Sequence, residues 1–400
     1  MTKVVGINVV CNGSTGKIMK EIQKKANENG YETISLYGRR KGYNDLNSKK
    51  IGNNLSLLFH AFITFVFNKH NHGSYFTTKK MIKFLRQYKP DIIHIHNIHG
   101  YYLNNTVFFN YLNNDFKGKV IWTLHDCWSF TGHCSHFDYI KCDKWQKQCH
   151  NCPQKREYPY SWFFDTSYKE YQQKKKLYTN IKDLTIVVPS NWLKEKVQKS
   201  FFKDKECLVI NNGIDLNVFK PNIDKKIYNK YNIPKDKKII LGVASVWTEK
   251  KGFNTFLELS NVISENEIII MVGLNKKQMK NLPNNIIGIE RTENIKDLVS
   301  LYTIADVFFN PSMEETFSLV TVESLACGTP CVVFNATATP ELIDKKVGVI
   351  INNYDINNIY SNIRKLYNKE YKTECILKAQ KYGIDNYDKY IDLYNELIKK

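Results

Sequence analysis

Histidine is absent after position 150, since all ten histidines lie between His60 and His150. Any chemistry that needs an imidazole must therefore come from the first half of the chain, and the second half has to bind ligands with glutamate, lysine and backbone groups. Arginine is scarce: only six of the 58 Lys and Arg residues are arginine, although the net charge is +19. Proteins that read base edges favour the bidentate fork of arginine. The lysine-rich excess therefore argues against nucleic acid and leaves anionic lipid or phosphorylated small molecules as partners.

Long apolar runs are also missing. The longest, residues 57–67, has 11 residues, and about 20 are needed to cross a bilayer. The N-terminus enters a strand-like pattern without a charged leader and apolar core, so we expect no secretory signal and a cytoplasmic protein. Six basic residues follow the apolar run, an arrangement typical of an interfacial helix on anionic lipid: Lys69, Lys79, Lys80, Lys83, Arg86 and Lys89. A helix packed in the domain core is the open alternative.

Short apolar runs alternate with longer helical patterns along both halves of the chain. In the first half they are residues 4–10, 32–37, 91–96, 119–124, 183–190 and 207–210. In the second half they are residues 237–244, 267–273, 306–312 and 331–334. Continuous apolar runs separated by helices indicate parallel strands buried on both faces. Two such series predict two doubly wound α/β domains.

The segment 311–334 carries the strongest candidate site. Glu315 and Glu323 are eight positions apart, and Gly328 is placed as a helix stop. If the helix begins near Phe317, the N–H groups of Thr316, Phe317 and Ser318 form an anion site suited to a diphosphate. One carboxylate beside that site is suited to sugar hydroxyls and the second to a ribose. A plain helix cap is the alternative for Glu315.

This segment resembles the Glu-x7-Glu signature of the retaining GT-B glycosyltransferases of family 4. Further matches follow in the order of that family, at residues 187–197, 209–221, 250–253 and 302–312. The resemblance extends from the loop 12–17 to the terminal helix. The chain also resembles a branch of bacterial exopolysaccharide and colanic-acid-type transferases, through residues 94–104 and 122–134.

The resemblance implies a fold and a division into domains. The expected fold is GT-B, an α/β fold of two facing Rossmann-like domains with a cleft between them. Residues 1–215 are expected to form the acceptor-binding domain, with a Cys-rich loop at 127–152. Residues 216–382 are expected to form the nucleotide-sugar-binding domain, and residues 383–400 a helix that packs back on the N-terminal domain.

The resemblance also assigns roles to individual side chains of the second half. Glu315 is expected to contact the donor sugar, Glu323 the ribose, and Lys251 the diphosphate, whose charge grows as the leaving group departs. Val246 stands where relatives carry an arginine, and Lys250 is expected to compensate. Arg291 and Thr292 lie where relatives approach the nucleotide base.

In the first half, His125 follows a predicted strand and is implied as the active-site histidine that contacts the donor sugar. A buried, hydrogen-bonded structural histidine is the alternative. Gly13 and Gly16 belong to the loop 12–17, which lets the backbone approach a phosphate or the acceptor. This loop lacks the spacing of a Walker A motif.

Four cysteines, Cys134, Cys142, Cys149 and Cys152, fall within a short turn-rich segment. The closing C-x2-C suits a structural zinc, but a second C-x2-C unit is missing, so free or packed thiols are the alternative. No metal is expected in the donor site.

The expected activity is therefore retaining transfer of a sugar from a nucleoside diphosphate sugar to a lipid-linked glycan acceptor in cell-surface polysaccharide biosynthesis. No cofactor and no nucleic acid are expected, and peripheral contact with anionic inner-membrane lipid follows from the basic apolar segment. Two alternatives remain at this point: a GT-B sugar-nucleotide epimerase, and a basic nucleic-acid-binding protein with a zinc-stapled loop.

Overall fold

A computed structural model describes residues 1–367 and 370–399, and the chain forms two compact units. Unit 1 comprises Met1–Asn211 and Tyr387–Lys400, and unit 2 comprises Asn212–Asn386. The sequence-based boundaries, 215/216 and 382/383, differ from these by four residues at each junction. The reason is a short parallel pairing of the two connecting segments, in which Ile214 N donates to Tyr382 O (2.9 Å) and Ile384 N to Ile214 O (3.0 Å). This pairing holds both connections in unit 2.

Unit 1 is built on one seven-stranded parallel sheet in the order β3-β2-β1-β4-β5-β6-β7. The strands are β1 (Lys3–Val10), β2 (Glu32–Arg39), β3 (Ser48–Lys50), β4 (Ile92–Ile95), β5 (Lys119–Thr123), β6 (Leu184–Val188) and β7 (Glu206–Val209). The central strands β4 and β6 are buried at every position, as expected of parallel strands covered on both faces. The strand order reverses between β1 and β4, which makes this the edge where open α/β sheets bind ligands.

The described residues of unit 1 also form seven α-helices. They are α1 (Ser14–Glu28), α2 (Asn54–Phe67), α3 (Tyr75–Tyr88), α4 (Asn105–Asn114), α5 (Ser167–Thr179), α6 (Asn191–Lys199) and the terminal helix α14 (Asp388–Lys399). The terminal helix packs by buried tyrosines: Tyr394 Oη hydrogen-bonds His94 Nδ1 (2.6 Å) and Tyr390 Oη hydrogen-bonds Thr123 Oγ1 (3.1 Å). Ile398, near the end of this helix, is exposed.

Unit 2 has a six-stranded parallel sheet in the order β10-β9-β8-β11-β12-β13. The strands are β8 (Lys238–Val243), β9 (Glu267–Val272), β10 (Ile286–Ile289), β11 (Val307–Asn310), β12 (Cys331–Phe334) and β13 (Gly348–Ile351). The helices are α7 (Lys226–Lys230), α8 (Phe253–Ser260), α9 (Lys276–Met279), α10 (Ile295–Ile304), α11 (Leu319–Ala326), α12 (Ile356–Arg364) and α13 (Lys372–Ala379). Here the order reverses between β8 and β11.

The predicted α/β class with two parallel sheets is confirmed, and each of the ten predicted strands is present. Three short strands, β3, β10 and β13, were not predicted. Within the described residues, no helix is both long enough and apolar enough to span a bilayer. The predicted apolar run 57–67 lies in α2, and because Leu58, Phe59 and Phe62 are exposed, the helix is not packed wholly in the core.

Candidate functional site

The Lys250–Lys251 pair lies just after β8, and the segment 311–318 lies just after β11, the neighbouring strand across the switch point. The two loops are held together by backbone contacts, since Met313 N donates to Lys250 O (2.8 Å). Gly252 adopts φ 81°, and a Cβ there would lie 2.3 Å from Pro311 Cγ. The glycine is therefore required for the close approach of the two loops.

An ion pair joins the two predicted catalytic side chains of unit 2. Lys251 Nζ donates to Glu315 Oε1 (2.6 Å) and to Glu314 O (3.1 Å). Lys250 Nζ lies 3.6 Å from Glu314 Oε2, and the Glu314 side chain is buried. The site thus presents two ammonium groups and two carboxylates within one pair of loops, an arrangement that offers positive charge to a phosphate and carboxylate acceptors to hydroxyl groups.

The backbone of Glu315 is fixed from a third loop, the one that follows β12. Glu315 N donates to Thr337 Oγ1 (2.9 Å), and Ala338 N donates to Glu315 O (3.2 Å). Thr337 adopts a left-handed conformation with φ 51°. The third loop thus holds both main-chain groups of Glu315, while Lys251 Nζ holds its carboxylate.

Helix α11 begins at Leu319, two residues later than the predicted start near Phe317. Ser318 is left-handed with φ 77°, so the chain turns there before entering the helix. Asn310 Nδ2 donates to Ser318 Oγ (2.9 Å) and to Thr321 Oγ1 (3.1 Å), which stabilises this turn. Thr316 and Phe317 consequently precede the helix, and the Phe317 ring is buried against Tyr382. The anion site predicted from the N–H groups of residues 316–318 therefore lies in a turn in front of the helix.

Glu323 lies on α11, and Tyr302 Oη donates to its Oε2 (3.0 Å). Burial, with the adjacent carboxylate of Glu323, holds the pKa of Tyr302 well above its usual range. The hydroxyl therefore keeps its proton and acts as a donor, which orients the Glu323 carboxylate.

The residues expected at the nucleotide base follow the edge strand β10. Arg291 is exposed and Thr292 half-buried. β10 is two strands away from β8 in the sheet order, a separation of about 10 Å at the usual strand spacing. Val246, at the position where an arginine was expected, is exposed on the β8 side.

His125 follows β5 in unit 1 and shares a hydrogen bond with His96, with His96 Nδ1 2.9 Å from His125 Nε2. Their rings stack with centroids 5.2 Å apart. Burial lowers the pKa of His125 to about 4, against an opposing effect of Asp126. Burial also holds the pKa of His96 well below its usual range. Both imidazoles are therefore neutral near pH 7, so one donates the shared proton and the other accepts it.

The neighbouring residues fix the environment of His125. His99 Nε2 lies 2.8 Å from Asp126 Oδ2, and His99 Nδ1 lies 2.9 Å from Tyr158 Oη. Burial acts to raise the pKa of Asp126, but His99 and the backbone N–H of Trp128 help to lower it to about 2. The carboxylate is therefore ionised and holds the His99 ring in place.

Of the predicted loop 12–17, only residues 12 and 13 belong to the connection between β1 and α1 at this sheet edge, because residues 14–17 form the first turn of α1. Gly13 caps α1 with φ 86°, and Lys17 N donates to Gly13 O (2.9 Å). A Cβ at Gly16 would lie 2.3 Å from the Cys11 carbonyl carbon. Since β1, β4 and β5 are neighbours, the structure places this loop, His96 and His125 at the carboxyl ends of three adjacent strands.

The four clustered cysteines line one small cavity in the loop after β5. All ten cysteines are free thiols. Among the described residues, no group of three or more His, Cys, Asp or Glu side chains is arranged to hold a metal ion. A hydrogen bond to Cys152, with burial, holds the pKa of Cys134 well above its usual range. The described structure thus brings the four thiols together around one cavity.

Sequence reasoning missed four residues that shape the site: Tyr302, Asn310, Glu314 and Thr337. The position of Glu314 directly before Glu315 could have indicated that it belongs to the site. Only the structure shows that its carboxylate lies near Lys250. The other three are separated from their partners by 8 to 22 residues in the chain. Tyr302 and Asn310 lie within the family match at 302–312, but no local pattern indicates which side chains they or Thr337 contact.

Two family models match the chain, one for each half. The model described as Glycosyltransferase Family 4 matches residues 51–218, and the model described as Glycosyl transferases group 1 matches residues 224–383. The putative colanic acid biosynthesis glycosyl transferase WcaC of Escherichia coli (strain K12) is 22% identical over 357 residues, covering 86% of this chain and 85% of the relative.

Solved structures share the fold over the whole length. Sucrose-phosphate synthase from Thermosynechococcus elongatus superposes with a TM-score of 0.72 at 15% identity, covering 100% of both chains. Anabaena HepE, crystallised with UDP and glucose, gives a TM-score of 0.68 at 12% identity, covering 99% of this chain and 100% of that one. The fold and the family models define a glycosyltransferase of the GT-B type. The chain belongs to glycosyltransferase family 4. The comparisons support glycosyl transfer and support neither the epimerase nor the nucleic-acid-binding alternative.

Proposed function

We propose that this enzyme transfers a sugar, with retention of anomeric configuration, from a nucleoside diphosphate sugar to a lipid-linked glycan acceptor in cell-surface polysaccharide biosynthesis. The observation that carries the proposal is the Lys251–Glu315 pair at the carboxyl ends of two adjacent strands. The relative from Escherichia coli is named for colanic acid biosynthesis, and the Anabaena neighbour was crystallised with UDP and glucose. Both support this substrate class.

In unit 2 each part of the nucleoside diphosphate sugar has protein groups suited to bind it. Lys251, with Lys250 beside it, balances the negative charge of the diphosphate, which increases as the bond to the sugar breaks. Glu315 accepts hydrogen bonds from sugar hydroxyls, and Glu323, oriented by Tyr302, accepts from the ribose hydroxyls. The N–H groups of residues 316–318 bind phosphate oxygens, and Arg291 and Thr292 lie toward the base.

The transfer step needs no ionised base on the protein. The acceptor oxygen forms a bond to the anomeric carbon on the face from which the diphosphate departs. The electrons of the breaking C–O bond stay with the diphosphate, and the acceptor proton passes to one of its phosphate oxygens. His125, whose pKa of about 4 keeps it neutral, contacts the donor sugar by hydrogen bonding. Gly13 and Gly16 let the first loop approach phosphate or acceptor.

Unit 1 is proposed as the acceptor unit, which acts at the cytoplasmic face of the membrane with peripheral contact to anionic lipid. The support is the exposed apolar face of α2 and the basic residues that follow it. A lipid-linked acceptor is held at that surface, so an enzyme that also binds there meets it in two dimensions rather than three.

A thermal-shift panel with UDP, GDP and ADP tests the donor assignment. We expect one diphosphate to raise the melting temperature as its concentration rises, because a ligand that binds only the folded state adds stability as RT ln(1 + [L]/Kd). Lys251→Ala is expected to weaken that shift. If no diphosphate and no diphosphate sugar stabilises the wild-type protein at millimolar concentration, the proposed function is wrong.

A further inference from the structure

Helix α2 has its apolar and polar faces reversed relative to an ordinary surface helix. Leu55, Leu58, Phe59 and Phe62 are 76%, 63%, 63% and 55% exposed, and their spacing of i, i+3, i+4 and i+7 places them on one face. The residues that α2 buries are polar, His60 and Thr64. Water normally selects the opposite arrangement, so this outward face is one that an apolar environment would cover.

Hydrogen bonds fix the helix in this orientation. His60 is bound at both ring nitrogens, with Nδ1 2.9 Å from Ser74 Oγ and Nε2 2.8 Å from His70 O. Gly73 packs directly against its ring, where a Cβ would lie 2.1 Å from His60 Cγ. Turning the apolar face inward would break these bonds and leave buried polar groups without partners. The exposed apolar face is therefore part of the folded structure.

A second segment extends the same face. Trp162 N donates to Phe65 O (2.8 Å), and the two rings stack with centroids 5.7 Å apart. Phe164 stacks on Phe67 with centroids 6.4 Å apart. We call the exposed side chains of this surface the apolar patch: Leu55, Leu58, Phe59, Phe62, Phe67, Trp162, Phe163 and Phe164.

Positive charge predominates around the apolar patch, above all along the chain that carries α2. Residues 46–90 contain no Asp or Glu but seven Lys and one Arg. Lys69, just after α2, and Lys79 and Lys80, on the following helix, are exposed. On the second segment Asp165 is exposed, and its carboxylate accepts from the backbone N–H groups of Cys152 and Ser167. Glu157 is the exposed carboxylate that precedes this segment.

We infer that the apolar patch is the surface by which the enzyme docks on an anionic lipid bilayer, with Phe62 and Trp162 inserted among the acyl chains. This inference rests on the proposed function for its purpose, because a lipid-linked acceptor is presented there. A bilayer, rather than a protein partner, suits both the exposed aromatic rings and the lysines near them. Aromatic rings partition into the membrane interface, and lysines are attracted to anionic headgroups.

Co-sedimentation with vesicles tests the docking surface. Phosphatidylcholine vesicles with increasing phosphatidylglycerol are mixed with the full chain at low and high salt. We expect binding to rise with the anionic fraction and to fall with salt. Phe62→Asp and Trp162→Asp are each expected to reduce the partition coefficient by about tenfold or more at every salt concentration, since a charge cannot enter the acyl region. The double variant Lys79→Glu, Lys80→Glu is expected to lose about tenfold at low salt and little at high salt.

Matched controls lie in unit 2. Leu377 is 50% exposed on α13, so Leu377→Asp makes the same change on a comparably exposed apolar side chain. Lys345→Glu with Lys346→Glu reproduces the charge reversal. Both controls are expected to bind like the wild type. Wild-type protein that stays in the supernatant at all compositions overturns the inference, as does an equal loss in the controls. A concentration-dependent dimer that Phe62→Asp abolishes, without vesicle binding, assigns the patch to a second copy instead.

A nucleoside diphosphate thermal shift, measured on every variant, separates this inference from the proposed function. If the protein binds a nucleoside diphosphate but not vesicles, only the inference about the docking surface is wrong. If the protein binds vesicles through the apolar patch but binds no nucleoside diphosphate, only the donor assignment is wrong. All patch variants are expected to keep the wild-type shift, because the altered side chains lie in unit 1 and the donor groups in unit 2.

Discussion

Lys251→Ala removes one side chain that has two separable effects, one on turnover and one on folding. In the proposed mechanism, Lys251 meets charge that develops only as the sugar leaves. Removal of one such preorganised donor usually costs about 10²–10³ in kcat, or about 2.7–4 kcal/mol. The folding effect is smaller: Lys251 and Glu315 are 33% and 18% exposed at their side chains. A pair of this kind contributes about 1 kcal/mol, which corresponds to about 2–4 °C in Tm for a unit of this size.

The assay compares nucleoside diphosphate release from the donor selected by the thermal-shift panel, with kcat and KM determined separately. Lys378→Ala is the matched control, because Lys378 Nζ also pairs with a carboxylate at short range, Asp344 Oδ2 at 2.8 Å, but on α13. We expect a similar small fall in Tm for both variants and a loss of turnover for Lys251→Ala alone. Lys251→Arg keeps the charge in a different geometry and is expected to recover part of the loss.

The kinetic pattern decides the outcome. A fall in kcat that exceeds the rise in KM shows that the interaction is stronger in the transition state than with bound donor. Turnover within threefold of wild type in a folded Lys251→Ala protein would refute the assignment. Equal losses in both variants would trace the effect to folding.

Three further predictions address other parts of the structure. Glu323→Gln is expected to raise the Kd of the nucleoside diphosphate about tenfold with a smaller change in kcat, as measured by calorimetry; an unchanged Kd contradicts the ribose role. Lowering the pH from 7 to 5 is expected to destabilise unit 1 by about 2 kcal/mol for each buried histidine such as His60 and His133. Burial lowers their pKa to about 4, so their contribution to the free energy of unfolding is fully present above pH 6.5 and is lost as the pH falls toward 4. Chemical denaturation at several pH values measures the free energy of unfolding, and a value that stays constant between pH 7 and pH 5 contradicts the burial of neutral histidines. Gly16→Ala is expected to destabilise unit 1 more than Gly13→Ala, because its Cβ meets backbone at 2.3 Å, whereas the Cβ at Gly13 meets open space and Gly13→Ala costs only the strain of φ 86°, about 1–2 kcal/mol; equal shifts in Tm would contradict the packing argument.

The parallel strands followed from the sequence because they depend on local patterns, whereas the roles of Lys251 and Glu315 came from the family resemblance and their ion pair only from the structure. Buried parallel strands appear as continuous apolar runs, and the loops at their carboxyl ends carry the polar residues. The start of α11 did not follow, because Ser318 takes its left-handed conformation from contacts with Asn310 and Thr321. The contacts of Tyr302 and Thr337 depend on which loops the sheet order brings together.

The sequence did not predict which face of α2 is exposed, and the reason is physical. An apolar helix of 11 to 14 residues has the same composition whether it packs in a core or lies on a membrane, so hydropathy alone gives no direction. The direction is set by the few polar positions: His60 and Thr64 occupy one side of the helix. The partners of the His60 ring, Ser74 and His70, lie beyond the end of the helix, and Thr64 Oγ1 donates to His60 O. Only a structure shows that these bonds turn the polar side inward.

In the proposed donor site, a carboxylate already neutralises the lysine before any ligand binds. Lys251 is paired with Glu315 at 2.6 Å, so a diphosphate approaching this lysine also approaches a carboxylate. The repulsion is relieved when Glu315 accepts hydrogen bonds from the sugar hydroxyls and Lys251 turns to the phosphate, which happens together only when sugar and diphosphate are both present. In the proposed mechanism the ion pair therefore favours the intact donor over the free diphosphate. It also helps the product to leave, because once the sugar has gone, Glu315 again competes with the diphosphate for the lysine.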